Sequence, residues 1–162
     1  MMGRQQSDVQ SSNRQVDIET NRAVVRAFNQ RVFNEHNADA AEDYLTTNAV
    51  WHGGTLGTVT GIRNIIIIYR GILKAVPDLV VSEQESIAER STVAMRFVVE
   101  GTHAGEFFGV PPTGNRVRWD AVDVYRLENG RIAEEWAADD LTAILYQLGL
   151  HTPSWLRPIP PG

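Results

Sequence analysis

The period of the apolar residues changes once along this chain, and that change limits what it can fold into. Val24, Val25, Phe28, Val32 and Phe33 recur at helical spacing, which predicts a helix over 17–34. A short helix is expected over 38–45, with Asn37 as its N-cap. Val50-Trp51-His52 reads as a short strand, broken at Gly53-Gly54. Ile62, Ile65, Ile66, Tyr69, Ile72, Leu73 and Val76 then form a helical stripe that opens after Gly61 and has to stop before Pro77. Beyond it the period falls to two. Segments 79–88, 92–103, 116–127 and 131–139 are rich in Val and aromatic residues and read as strands. Asn129-Gly130 predicts a tight hairpin between the last two, and Pro111-Pro112-Thr113-Gly114 marks a turn in the loop before them. Leu141, Ile144, Leu145 and Leu148 form a final helical stripe ended by Gly149. Helices followed by antiparallel strands predict an α+β fold: N-terminal helices packed on a strongly curved, mostly antiparallel sheet that encloses a pocket.

Composition narrows the chemistry. A chain of 162 residues suits one domain. The absence of cysteine excludes disulfides, thiolate nucleophiles and cysteine-ligated metals. A net charge of −5 argues against nucleic acid as a partner. The longest apolar run, Ile65 to Tyr69, is far shorter than the about 20 residues that span a bilayer, so no membrane association is expected. Without a secretory apolar segment at its start, the chain reads as cytoplasmic. Residues 1–15 are dominated by Gln, Ser and Asn and are expected to form a frayed or extended tail, with the domain over 16–150. The segment 151–162 holds four of the seven prolines and is expected to lie extended, with Trp155, Leu156 and Ile159 against the domain or a partner subunit.

Strand alternation selects the residues that face the pocket. Met95, Phe97, Val99, Gly101 and His103 share one apolar face, so His103 ends an inward row. On the last strand Ile132, Trp136 and Asp140 share one parity, while Glu135 and Asp139 share the other. Trp136 therefore points to Asp140 as the inward carboxylate, unless a bulge intervenes. An Asp at the mouth of an apolar cavity has a raised pKa suited to general acid/base work, and a nearby His can stabilise an enolate. Each has a structural alternative. Asp139 or Asp140 can simply cap the final helix, and spacing alone favours His52 and His103 as satisfied strand-end imidazoles. Trp51, Trp119 and Trp136 are core residues first and pocket walls only if the cone is hollow. No metal-binding spacing, nucleophile elbow or phosphate-binding loop is present.

Two stretches carry a resemblance. Gly101-Thr102-His103-Ala104-Gly105-Glu106-Phe107-Phe108-Gly109-Val110-Pro111-Pro112-Thr113-Gly114 resembles the GTHxGxFxGxPPTG signature of SnoaL-like polyketide cyclases. The run from Asp123 to Trp136, followed by Asp140 and Gln147-Leu148-Gly149, is similar to the same family. The resemblance covers roughly residues 17–150. It implies an NTF2-like cone, assembly as homodimers or homotetramers, and an Asp acid/base for intramolecular aldol closure of a polyketide ring. That role falls on Asp140, with His103 as its catalytic partner. His52, Trp51, Phe107, Trp119, Trp136 and Glu135 are the expected substrate-binding residues, Glu135 standing where many relatives have His. The expectation is a cyclase without cofactor or metal, acting on a small hydrophobic aromatic or polyketide substrate. Related reactions on the same fold (epoxide hydrolysis, isomerisation, hydroxylation) and a non-catalytic binding domain are the alternatives.

Overall fold

Helix α1 (18–29) begins the part of the chain that the computed structural model describes, residues 18–156. The expected tail at 1–15, the start of the first helix at Asp17 and the prolines beyond Leu156 lie outside those residues. Helix α1 does not run straight to Asn34. Its last turn, Gln30–Asn34, widens to π geometry, with the Glu35 amide donating to Gln30 O. Val25, Phe28 and Val32 are fully buried through this change. Phe28 meets the edges of Phe33, Tyr44, Tyr69 and Tyr125 at centroid distances of 5.8–6.2 Å.

The second helical segment is a 3-10 turn, Ala38–Asp43, shorter than expected. Its cap is the predicted one: Asn37 Oδ1 accepts from the Ala40 amide at 3.3 Å. Leu45 belongs instead to strand β1 (Leu45–His52), which is longer than the three residues read from the sequence. After a 3-10 turn and the short strand β2 (Thr58–Thr60), helix α2 (Ile62–Ala75) buries Ile65, Ile66 and Tyr69 while Ile67 stays exposed. Among the described residues no helix is long and apolar enough to cross a membrane.

Strands β3 (Val80–Glu89), β4 (Thr92–Thr102), β5 (Arg116–Glu128) and β6 (Arg131–Asp139) follow, within a residue or two of the expected bounds. Together with β1 and β2 they form one six-stranded sheet in the order β2-β1-β6-β5-β4-β3. All neighbours are antiparallel except β1 and β6, which run parallel. Asn129 and Gly130 both take positive φ, 51° and 75°, as a type I′ hairpin turn requires. Two bulges bend the sheet: Gln84 in β3 and Ala133 in β6 have no cross-strand partner. Helix α3 (Leu141–Gln147) then packs back on β5, where the Gln147 side chain both donates to Arg118 O and accepts from the Arg118 amide, each at 2.8 Å. That pairing holds α3 where β6 has ended. In the described part of the tail, 151–156, Pro153 is buried but Trp155 is 75% exposed, and Ile159 lies outside the described residues.

The loop from β4 to β5 is locked onto the end of α2. The Ala104 and Gly105 amides both donate to Ala75 O at 3.0 Å. A Cβ on Gly105 would stand 2.1 Å from Lys74 O, a backbone atom that cannot yield. Gly71, inside α2, has open space where its Cβ would go. The two glycines should therefore respond oppositely to the same change in urea unfolding. Gly105→Ala should cost about 1–3 kcal/mol through overpacking, whereas Gly71→Ala should add about 0.5–1 kcal/mol. A stable Gly105→Ala variant would contradict the close approach.

Candidate active site

Between the helices and the concave face of the sheet lies a cavity of about 340 Å³, within the usual range of small-molecule sites. Its walls are largely apolar: Phe33, Trp51, Ile68, Ile72, Phe97, Phe107 and Trp119 among others. Its polar groups are unusual in sign. Asp123, Glu135, Asp139 and Glu106 line it, together with Asn29 and Tyr69, and among the described residues no Arg, Lys or His does.

Three of these carboxyl groups form a row on the inner face. Asp139 and Glu135 lie on β6 four residues apart, about 13 Å along a strand. Asp123, opposite Ala137 on β5, stands between them. Each has a neutral donor. Tyr69 Oη donates to Glu135 Oε2 at 2.5 Å, Trp119 Nε1 donates to Asp139 Oδ1 at 2.6 Å, and Tyr125 Oη donates to Asp123 Oδ2 at 3.1 Å. Asn29 Nδ2 in turn donates to Tyr125 Oη at 3.3 Å. The Ala138 amide also donates to Asp123, at 3.3 Å.

Burial away from water disfavours the charged form of all three acids. Desolvation pushes Glu135 up to about 7, with the Tyr69 hydrogen bond opposing it and the charge of Asp139 adding to it. Asp123 is held well above the ordinary carboxylate range by burial and then by repulsion from Glu135 and Asp139. Asp139 is raised by burial and partly restrained by the Trp119 indole. Tyr69 and Tyr125 are pushed up as well, chiefly by burial and then by the neighbouring carboxylates, so both keep their protons and act as donors. Burial thus holds all three acids above their ordinary values, with Glu135 near neutral pH. Its members are spread along the strands, and among the described residues no cluster of His, Asp or Glu has the arrangement of a metal site.

Four of the expected site residues line this cavity: Trp51, Phe107, Trp119 and Glu135. Four do not. Asp140 is exposed, outside the cavity, and its side chain accepts from the Ala143 amide at 2.9 Å as the N-cap of α3. The cause is the bulge at Ala133. That extra residue inverts the alternation of β6, turning Glu135 and Asp139 inward and Trp136 and Asp140 outward. Trp136 accordingly lies on the outer face, 38% exposed, stacked on His52 at 5.1 Å. His52 alternates outward from the buried Trp51, and its Nε2 lies 2.8 Å from Glu134 Oε1. Glu134 also accepts from Arg126, so His52 belongs to an ion-paired patch of the outer face.

His103 is fully buried, as its parity predicts, yet it is not a cavity wall. Strand β4 ends at Thr102, and the imidazole turns into the following loop. The Thr113 amide donates to its Nδ1 at 3.4 Å, and Thr113 Oγ1 lies 3.0 Å from the same nitrogen. Main-chain bonds to Asn115 and Gly114 close the loop around it. Its position makes it an anchor of the loop that carries Phe107.

The residues that sequence reasoning missed are Asp123, Asp139, Tyr69, Tyr125 and Asn29. Asp123 was within reach, because β5 alternates regularly and Asp123 shares its face with Val117, Trp119, Ala121 and Tyr125. Tyr69 sits in an apolar helical stripe and gives no sign of its carboxylate partner 66 residues away.

With this geometry in place, similarity to known proteins adds the family. The model of the family described as SnoaL-like polyketide cyclase matches residues 23–148. AclR from Streptomyces galilaeus, a proposed hydroxylase, is 28% identical, with a TM-score of 0.75 over 83% of this chain and 99% of that one. IdmH from Streptomyces antibioticus, a proposed polyketide cyclase, is also 28% identical, with a TM-score of 0.68 over 80% of this chain and 98% of that one. An LEH-like epoxide hydrolase from M. tuberculosis shares the fold at 16% identity, with a TM-score of 0.65 over 81% of this chain and 90% of that one. No curated protein shows a significant match. The α+β cone is thus NTF2-like, and the chain belongs to the SnoaL-like polyketide cyclase family.

Proposed function

We propose that this small-molecule enzyme closes a ring in an apolar polyketide-type carbonyl compound by intramolecular aldol addition, with Asp139 as the acid/base. One observation carries the reading: a row of carboxyl groups with raised pKa lines an apolar cavity that no cationic side chain among the described residues faces. Asp139 is the least buried of the row's two β6 acids, and the Trp119 indole steadies its ionised form. It takes a proton from carbon α to a carbonyl. The enolate carbon then attacks a second carbonyl of the same molecule, and protonated Asp139 returns the proton to the new alkoxide. Glu135 in its protonated form supplies a donor for developing oxyanion charge, while the Tyr69 hydroxyl donates to its other oxygen. The apolar walls hold the substrate in one folded conformer, which lowers the entropic barrier to closure. An anionic group on the substrate would be repelled by the row, so the reading favours an uncharged substrate.

Two predictions separate this account from the one the sequence suggested. Asp139→Asn keeps the acceptor for Trp119 and should lower kcat by about 10²–10⁴-fold while keeping a cooperative melting transition. Asp140→Asn preserves the helix cap and should keep near-normal turnover. The reverse pattern would return the chemistry to Asp140. Product mass reports the reaction class: ring closure leaves it unchanged, whereas hydrolysis adds the elements of water and hydroxylation adds oxygen.

Stability should also carry the signature of the buried acids. Glu135 binds its proton more tightly folded than unfolded, so its contribution is fully present below the unfolded value of 4.5 and is lost as pH rises through about 7. Asp123 and Asp139 act with the same sign. The melting temperature should therefore fall between pH 5 and pH 8, and Glu135→Gln should flatten that slope. A melting temperature that climbs over this range would contradict the raised pKa values.

A further inference from the structure

The loop between β4 and β5 carries a tight turn, Phe107-Phe108-Gly109-Val110, closed by Phe107 N–H to Val110 O at 3.1 Å and Val110 N–H to Phe107 O at 2.9 Å. Its two central residues have positive φ, 50° at Phe108 and 76° at Gly109. This is type I′ geometry, whose first central position normally holds Asn, Asp or Gly. A phenylalanine there is strained. The strain holds an aromatic pair in place: Phe107 and Phe108 stack at a centroid distance of 4.5 Å with 27° between planes, and both line the cavity. Phe107 leads inward to Trp119, 6.5 Å away, whose indole holds Asp139. Phe108 stays 37% exposed, where a folded chain would ordinarily hide such a ring. His103 and Thr113 pin the base of the loop, so the turn is presented on a fixed stem.

We infer that Phe108 is a specificity-determining residue: its ring is a stacking platform at the edge of the cavity for a planar, aromatic part of the substrate. The turn accepts a disfavoured backbone conformation because only a ring in that position continues the aromatic wall from Trp119 outward. The inference rests on the cyclase reading for its substrate and adds the residue that recognises planarity. It concerns binding, so it can be tested apart from the chemistry.

The test is calorimetric titration of the full chain with 2-naphthol, a neutral planar probe, and with 2-decalol, its saturated analogue. Phe108→Leu keeps apolar bulk without a ring, and Phe108→Asn suits the positive φ and guards against failure to fold. Both variants should bind 2-naphthol about three- to tenfold more weakly than the parent, as expected for the loss of one aromatic stack, with 2-decalol binding unchanged in Phe108→Leu. Equal loss for both probes would reduce Phe108 to generic apolar cover and overturn the inference. Unchanged 2-naphthol binding in Phe108→Leu, or no 2-naphthol binding by the parent, would overturn it as well. The acid/base assignment fails separately, through near-normal turnover of Asp139→Asn, so the two failures leave distinct marks.

Discussion

Burying several carboxyl groups in one apolar cavity, with no facing cation among the described residues, is the constraint on which the rest of this structure turns. An isolated ionised carboxylate is costly to remove from water, so such groups keep protons or gather donors. Here they do both. Tyr69, Trp119 and Tyr125 each give one neutral hydrogen bond to one acid, and Asn29 steadies Tyr125 from α1. Neutral donors leave the pKa values high, where an Arg would have driven them down. The result is a set of acids that keep their protons to higher pH than ordinary carboxylates inside a largely apolar space.

The scaffold is arranged to hold those donors. Phe28 touches the rings of Tyr69 and Tyr125 from the helix side, tying the two phenols to one buried centre. The bulge at Ala133 then aims β6 so that Glu135 meets Tyr69 and Asp139 meets Trp119. Without that extra residue the same strand would present Trp136 and Asp140 to the cavity, and the carboxyl row would face solvent. The outer face has a separate logic, with His52, Glu134, Arg126 and Trp136 forming an ion-paired and stacked surface.

Much of this architecture was legible in local chemistry. The helical stripe of α2, the period of two in the second half, the Asn37 cap and the Asn129-Gly130 hairpin are short-range signals, and each lies where it was expected. The inward row of β4 was also readable up to His103, because β4 pairs with β5 without interruption. Parity failed on β6, where a single unpaired alanine reverses every later side chain, and the charge of Glu134 at an inward parity is the one local sign of it. His52 failed for a related reason: its neighbour Trp51 claims the inner face of β1, so the imidazole must turn outward. The partnership of Tyr69 with Glu135 joins a helix to a distant strand, and no spacing rule reaches that far.

The central claim is that these acids are protonated where ordinary surface carboxylates are not. Carbon-13 NMR titration of the Asp and Glu side-chain carboxyl signals, assigned with Glu135→Gln and Asp139→Asn, measures this directly. The account predicts that Glu135 reaches its midpoint near pH 7 and that Asp123 and Asp139 titrate above the ordinary Asp value of 3.8. Midpoints for all three at or below the ordinary carboxylate values would mean that the cavity holds plain anions, and the acid/base reading would fall with them.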